Sequence, residues 1–390
     1  MPAFRQHVAL AILNAKAFLN LELRFVRSGG PESGSGQSAK TPGKAAVSGT
    51  NTSSPGRRKA PKENRKLQRL RRELEDKTME NARLQARLVA GDYGPVGGGV
   101  KPENMIWIFG SGRTGSSWLS NMMGDLEGHA RWNEPYVGEL FGTAYYVRAG
   151  ERMRGRKDFV LGEGYREAWV HSIRNFVLEG ANVRFPRLGE DGYLVIKEPN
   201  GSMGAPLLSE ALPESRMIVL VRDPRDVVSS GMAAQRKGSW GDQWRANGSG
   251  GDSLADTDPD EFARHWAHMY TMTLGKAKEA YDAHEGPKVV VRYEDLRTDT
   301  LETMQSLYST LGITVDEVEL SRVVEKHAWE NIPEKRKGPD KPQRKATPGG
   351  WKEDLTPEQA GIVEELAASI LDEFYPEWSL SEERETGLDR

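Results

Sequence analysis

Between Phe109 and Trp118 the chain reads Phe-Gly-Ser-Gly-Arg-Thr-Gly-Ser-Ser-Trp, a run of glycines and hydroxyls around a single cation. The apolar run from Met105 to Phe109 precedes it, and Leu119 and Met122 follow at helical spacing, so the segment reads as strand, loop and helix start. Glycines let such a loop curl until its amide N–H groups point inward, and the helix N-terminus adds partial positive charge. That is a cradle for phosphate. Two known cradles share part of its spelling. Gly110, Gly112 and Gly115 match the dinucleotide fingerprint, which also needs a second strand ending in an acid about 20 positions on. Glu134 has that distance, but the preceding His129-Ala-Arg-Trp-Asn133 does not read as an apolar strand. Gly110 and Gly115 also begin a Walker A loop, yet Ser116 stands where that loop needs lysine. A nucleotide kinase without that lysine lacks its contact to the β- and γ-phosphates. Here the cation comes earlier, at Arg113, and the loop reads as holding a phosphate without a magnesium triphosphate.

A second group of the same kind lies in Val219-Leu-Val-Arg-Asp-Pro-Arg-Asp-Val-Val-Ser-Ser230. Arg222 falls at the C-terminal end of a buried strand, where open α/β sheets bind ligands. Pro224 suits a first helical turn, and Ser230 follows about two turns on. An arginine and a serine so placed can grip another phosphate together. Arg225 and Asp226 read as a surface pair.

The two segments together resemble the sulfotransferase superfamily, which transfers a sulfuryl group from 3′-phosphoadenosine 5′-phosphosulfate (PAPS), with motifs of the bacterial, carbohydrate type. Arg113-Thr-Gly-Ser-Ser-Trp118 resembles its 5′-phosphosulfate loop. The resemblance implies that Arg113, Thr114, Gly115, Ser116 and Ser117 meet the 5′-phosphate and that Trp118 packs on adenine. It makes Arg222 and Ser230 the 3′-phosphate pair, and Tyr293-Glu-Asp-Leu296 the segment whose tyrosine approaches adenine. Arg344-Lys345-Ala-Thr-Pro-Gly-Gly-Trp351-Lys352 resembles the family's Arg-Lys-Gly segment, with Ala346 in place of the first glycine. The likeness runs over about residues 103–378 and leaves the first hundred uncovered.

Sulfuryl transfer needs an acceptor hydroxyl in line with sulfur, a base for its proton, and cations for the leaving phosphate and sulfuryl oxygens. Arg and Lys can supply that charge, so no metal is expected. Lys197 ends the run Leu194-Val-Ile-Lys197, on the same edge as the loop, and matches the family lysine that contacts the sulfuryl group. Pro199 occupies the position of the cytosolic members' catalytic histidine. Members acting on carbohydrates and on protein tyrosine commonly use a glutamate downstream of the loop cation, and Glu134 fits that place. Glu198, beside Lys197, is the alternative base. His265 and His268 read as helix-packing histidines.

The elements that must position these residues follow from periodicity. Apolar runs at Met105–Phe109, Tyr193–Lys197, Met217–Val221 and Lys288–Arg292 alternate with helical stretches, notably about 164–180, 224–236 and 260–284. The pattern predicts an α/β domain over about 100–378, a mainly parallel sheet with helices on both faces and a P-loop-like nucleotide site. A polar tail follows at 379–390. Ahead of the domain come an amphipathic helix at 1–27, a flexible linker at 28–61 and a coiled-coil-like helix at 62–90. Phe4, Val8, Ile12, Ala15, Leu19 and Leu23 mark the first, which could pack on a partner or lie on a membrane surface. Leu67, Leu70, Leu74, Lys77, Asn81, Leu84 and Leu88 mark the last, and suit either self-association or a solvated single helix.

Composition excludes several classes. There is no cysteine among the 390 residues, so disulfide scaffolds, thiolate metal sites and cysteine nucleophiles are out. Lys+Arg 54 against Asp+Glu 57 leaves a formal charge of -3, without the signature of a general nucleic-acid binder. No stretch reaches the ~20 apolar residues of a membrane span, and a cytoplasmic protein is expected. The reading is a PAPS-dependent transferase that yields adenosine 3′,5′-bisphosphate (PAP), its acceptor a hydroxyl of a carbohydrate or glycolipid. Its rivals are a nucleotide-dependent phosphotransferase and a nucleotide-binding scaffold acting through its helical arm.

Overall fold

Met105–Gly110 is buried at all six positions, and a strand buried on both faces needs a layer on each side. The computed structural model describes residues 99–242, 253–338, 341 and 343–376, together with 74, 77 and 78, which are helical. The segments read as an amphipathic helix (1–27), a linker (28–61) and a tail (379–390) lie outside the described residues, as does the rest of the coiled-coil-like 62–90. Among the described residues, no helix is long and apolar enough to cross a membrane.

Five strands form one sheet: β1 (Met105–Gly110), β2 (His129–Asn133), β3 (Tyr193–Lys197), β4 (Arg216–Val221) and β5 (Lys288–Arg292). Their order is β2-β3-β1-β4-β5, and every pairing is parallel. All five therefore end on one edge, where Gly110, Asn133, Lys197, Val221 and Arg292 lie. The connection from β1 goes to the far edge at β2, while β4 lies on β1's other side, which opens a crevice at the end of β1.

Successive residues of the central strands face opposite layers, as strand pleating dictates. Trp107, Phe109, Ile196 and Val219 join one core with helices α3 (Arg166–Arg184), α4 (Ala205–Ala211) and α6 (Pro259–Ala283). Ile106, Ile108, Val195 and Leu220 join the other with α1 (Ser116–Gly124), α8 (Thr300–Thr310) and α9 (Glu317–Lys326). Three further helices carry functional side chains or brace them: α2 (Val137–Gly142), α5 (Pro224–Gln235) and α7 (Tyr293–Thr298). The expected helices at 164–180, 224–236 and 260–284 are α3, α5 and α6.

Strand β2 refines the sequence reading, in which His129 to Asn133 is no apolar strand. It is an edge strand: Ala130 and Trp132 pack on the first core while Arg131 and Asn133 remain exposed, so its apolar content is half that of its neighbours. With β2 present, the dinucleotide fingerprint fails on topology instead. In that fold the second strand lies beside the first, whereas here β3 intervenes. His265 and His268 also differ from the expectation of helix-packing residues, since both are exposed on α6.

Candidate active site

The loop between β1 and α1 turns through left-handed backbone at Gly115, with φ 89°. A Cβ there would meet the Tyr293 ring at 2.6 Å, so only glycine lets the loop lie against that ring. Gly115 also caps α1, and no side chain caps this helix, which leaves its first amides directed at the crevice. Thr114 is buried inside the loop, where its hydroxyl donates to the Ser111 carbonyl at 2.8 Å. Ser116 is buried and Ser117 exposed, as neighbours on a first helical turn must diverge.

Arg113 takes φ 70°, which sends its side chain toward α5, where Nε donates to Ser230 Oγ at 3.1 Å. Trp240 covers the guanidinium, 5.1 Å from ring centroid to Cζ. The sequence reading set Arg113 at the 5′ group; in the structure its guanidinium stands beside Ser230, the residue read for the 3′-phosphate. Arg222, just past β4, donates from Nη1 to the Arg113 carbonyl at 2.9 Å and lies over the Tyr293 ring at 4.3 Å. Its Nε is a buried donor with no hydrogen-bond partner in the structure. Burial, and then the charges of Arg222 and Arg344, pull the Arg113 guanidinium down to about 10. A crevice with this many cations is chemically suited to an anion.

That crevice is a cavity of about 410 Å³, within the range of small-ligand sites. Trp118, Tyr293, Arg222, Arg344, Lys345 and Trp329 are among its walls. Trp118 meets Tyr293 edge to face at 6.3 Å and donates from its indole to the His327 carbonyl at 2.9 Å. His327 is in turn tied to Asp125 at the end of α1, at 2.6 Å. Arg344 and Lys345 reach the cavity from a distant segment and share Asp354, at 2.7 and 2.9 Å. Ala346 adopts φ 52°, where the resembled motif has glycine, and its carbonyl accepts from Arg297 Nε at 3.1 Å. A residue with a Cβ bears strain there, which that hydrogen bond offsets.

Asp226 was read as half of a surface pair with Arg225, and neither is on the surface. Its carboxylate accepts the Gly349 and Trp351 amides at 2.8 and 2.9 Å, pinning the Arg344 segment to α5. Arg222 lies 3.8 Å away. Arg225 instead bridges Asp223 and Glu364, each at 2.8 Å. Asp226 is thus a residue the sequence reading missed, because its partners lie far along the chain.

Lys197 and Glu134 come together across β2 and β3, which are in register with Asn133 opposite Lys197. Lys197 Nζ lies 2.6 Å from Glu134 Oε1, 3.2 Å from Asn133 Oδ1 and 3.0 Å from Ser117 Oγ. Ser117 also lines the cavity, so it joins the cavity to this lysine–glutamate pair, neither member of which lines the cavity itself. Tyr136, another residue sequence reasoning passed over, donates its hydroxyl to Glu134 Oε2 at 3.2 Å. Burial, then Glu134, raise that phenol to about 12, so it stays a donor. Glu198 faces elsewhere: it is 1% exposed, and its two oxygens accept the Tyr136 and Gly138 amides. Among the described residues, no group of three or more His, Asp or Glu side chains is placed to hold a metal ion.

Comparison with known proteins adds the following. A family model described as Sulfotransferase family matches residues 105–317. No match to a curated protein is found. Similar solved structures include a mouse sulfotransferase, SULT7A1, complexed with PAP, at 14% identity over 73% of this chain and 90% of that one, with a TM-score of 0.46. Sulfotransferase STF9 from Mycobacterium avium is 14% identical over 76% of this chain and 81% of its own, TM-score 0.46. The sulfotransferase domain of the Synechococcus PCC 7002 olefin synthase is 19% identical, covering 70% and 97%, TM-score 0.39.

Proposed function

The chain belongs to the sulfotransferase family, whose donor is PAPS, and on that premise we propose that it sulfates a hydroxyl of a carbohydrate or glycolipid with Glu134 as the base. The residues fit such a donor. The uncapped amides of α1 and Ser117 face its 5′ end, and Arg222, Ser230 and Arg113 face its 3′-phosphate. Arg344 and Lys345 add charge from across the cavity, and Trp118 and Tyr293 offer ring surface to adenine. Bound there, PAPS supplies an electrophilic sulfur and a phosphate leaving group.

Glu134 takes the proton of the acceptor hydroxyl as its oxygen bonds to sulfur, and the electron pair of the breaking S–O bond leaves on the 5′-phosphate of PAP. Lys197 lies between the two ends of that movement. One ammonium touches both Glu134 and Ser117, so it orients the base and offers charge to the sulfuryl and phosphate oxygens. The observation that carries the reading is this bridge from cradle to carboxylate through Ser117 and Lys197. The carbohydrate-type position of Glu134 supports the acceptor class. From sequence alone come the further readings of a cytoplasmic protein, self-association through 62–90 and surface contact through 1–27.

Ligand-induced stabilisation tests the donor site. A ligand bound only by the folded form stabilises by RT ln(1 + [L]/Kd), about 2.7 kcal/mol at a hundredfold excess over Kd. PAP is expected to raise the melting temperature clearly, and AMP, ATP and NAD far less. Equal shifts with PAP and AMP would mean that Arg222 and Ser230 hold no 3′-phosphate. A preference for ATP with magnesium would favour the phosphotransferase instead.

A further inference from the structure

The turn that carries Glu134 is unusual in its backbone. Glu134 has φ 47° and Tyr136 has φ 59°, two left-handed residues with side chains on either side of Pro135. That region is uncommon for residues with a Cβ, and such a pair persists only where its surroundings enforce it. The proline adds its own restriction to Glu134.

What encloses the turn comes from two consecutive residues at the end of β3. The Lys197 carbonyl accepts the Glu134 amide at 2.8 Å, continuing the β2–β3 ladder by one residue. Glu198 then reaches beneath it, Oε2 accepting the Tyr136 amide and Oε1 the Gly138 amide, both at 3.1 Å. Its own amide donates to the Ile108 carbonyl at 3.0 Å, which roots it on the central strand. Gly138 and Gly201 leave no room for a Cβ, one against the Gly201 carbonyl and the other against the Glu198 carboxylate, so the carboxylate is boxed in. It is not among the residues lining the cavity, and each of its oxygens already accepts an amide.

We infer that Glu198 is a positioning residue for transfer: its ionised carboxylate holds the Glu134–Tyr136 turn in the strained form that aims the base, without touching either substrate. The inference rests on the reading of Glu134 as base. The charged groups around Glu198 make this hold dependent on pH. Glu134 and Glu139 repel its charge, and Lys197 directs its ammonium to Glu134 rather than to Glu198. Burial, only partly opposed by the Gly138 and Tyr136 amides, pushes the Glu198 carboxyl up to about 7. Below that pH the group is protonated and one oxygen becomes a hydroxyl, a poor acceptor for an amide. The sign follows: the form that grips both amides accumulates as pH rises through about 7, and the transfer rate rises with it.

The test is single-turnover transfer at saturating PAPS across the neutral pH range, with PAP affinity measured alongside, for the full chain and for Glu198→Gln and Glu134→Gln. Glu198→Gln should slow transfer roughly tenfold, the scale of one lost hydrogen bond to a charged group. It should also flatten the limb near 7 and leave PAP affinity unchanged. Wild-type rate and an intact limb in that variant, with Glu134→Gln inactive, would overturn this inference and leave the base reading standing. An active Glu134→Gln beside an inactive Glu198→Gln would overturn both. Should Glu198→Gln fail to fold, the wild-type amide resonances of Tyr136 and Gly138 decide. Titration together with the rate supports the inference, and amides indifferent to pH while the rate titrates overturn it.

Discussion

On one side of Ser117 lies a cavity walled by Arg113, Arg222, Arg344 and Lys345; on the other, a single carboxylate sits on a strained turn. Both are held by the same device, a buried acid that accepts two backbone amides of a loop. Asp226 takes Gly349 and Trp351, and Glu198 takes Tyr136 and Gly138. What differs is the company. Burial raises both carboxyls; at Asp226 the Arg222 charge opposes the shift and Asp223 adds to it, while at Glu198 the acids Glu134 and Glu139 add to it. One anchor therefore has a cation partner and the other is poised to titrate. The comparison leads to the expectation that a pH change near neutrality acts first at the base turn, where the Glu198 carboxyl is raised to about 7.

The largest effects should separate the two regions outright. Glu134→Gln retains size but cannot take a proton, and should slow transfer by roughly 10²–10⁴-fold with PAP affinity nearly unchanged. Arg222→Ala should do the converse, weakening PAP roughly 10- to 100-fold, as expected for charge-assisted bonds to a phosphate. Single-turnover rates and calorimetric affinities measured on both variants check the pair. If each variant harmed rate and affinity alike, the division at Ser117 would not hold.

A smaller effect is expected at Asp226→Asn. Two short amide bonds outweigh an ion contact at 3.8 Å, so loosening the Arg344 segment should dominate over freeing Arg222. PAP affinity should fall roughly tenfold, while transfer at saturating PAPS stays near the wild-type rate. A tighter PAP complex in this variant would show that Asp226 serves mainly to neutralise Arg222. The smallest expected effect is none: transfer should survive EDTA, because Arg113, Arg222 and Lys197 offer the charge that a divalent ion supplies elsewhere. Activity abolished by chelation and restored by magnesium would point to the phosphotransferase.

The donor half was the more legible of the two. Its loop, the strand-end Arg222 and Ser230 two turns on are local patterns, in which glycine spacing and strand periodicity speak within a dozen residues. The base half was less so. Glu134 was named by resemblance, but β2, which places it opposite Lys197, was not read as a strand because an edge strand alternates and is short. Glu198 looked like a candidate base from its place beside Lys197. Its burial and two amide partners are what the inferred anchoring role rests on.

By itself, then, the sequence determined four of the five strands of the described residues, the main helices between them, the glycine loop suited to phosphate and several of the charges gathered at one sheet edge. These depend on periods and spacings that the chain carries locally. Tertiary structure alone decided which acid pairs with Lys197 and which is boxed beneath the turn, since Lys197 and Glu198 are neighbours whose side chains serve different partners. It also decided that Asp226 holds a segment more than a hundred residues away, and that Arg113 turns toward Ser230. Hydrogen bonds and burial of that kind depend on which strands lie side by side, and no local pattern encodes that.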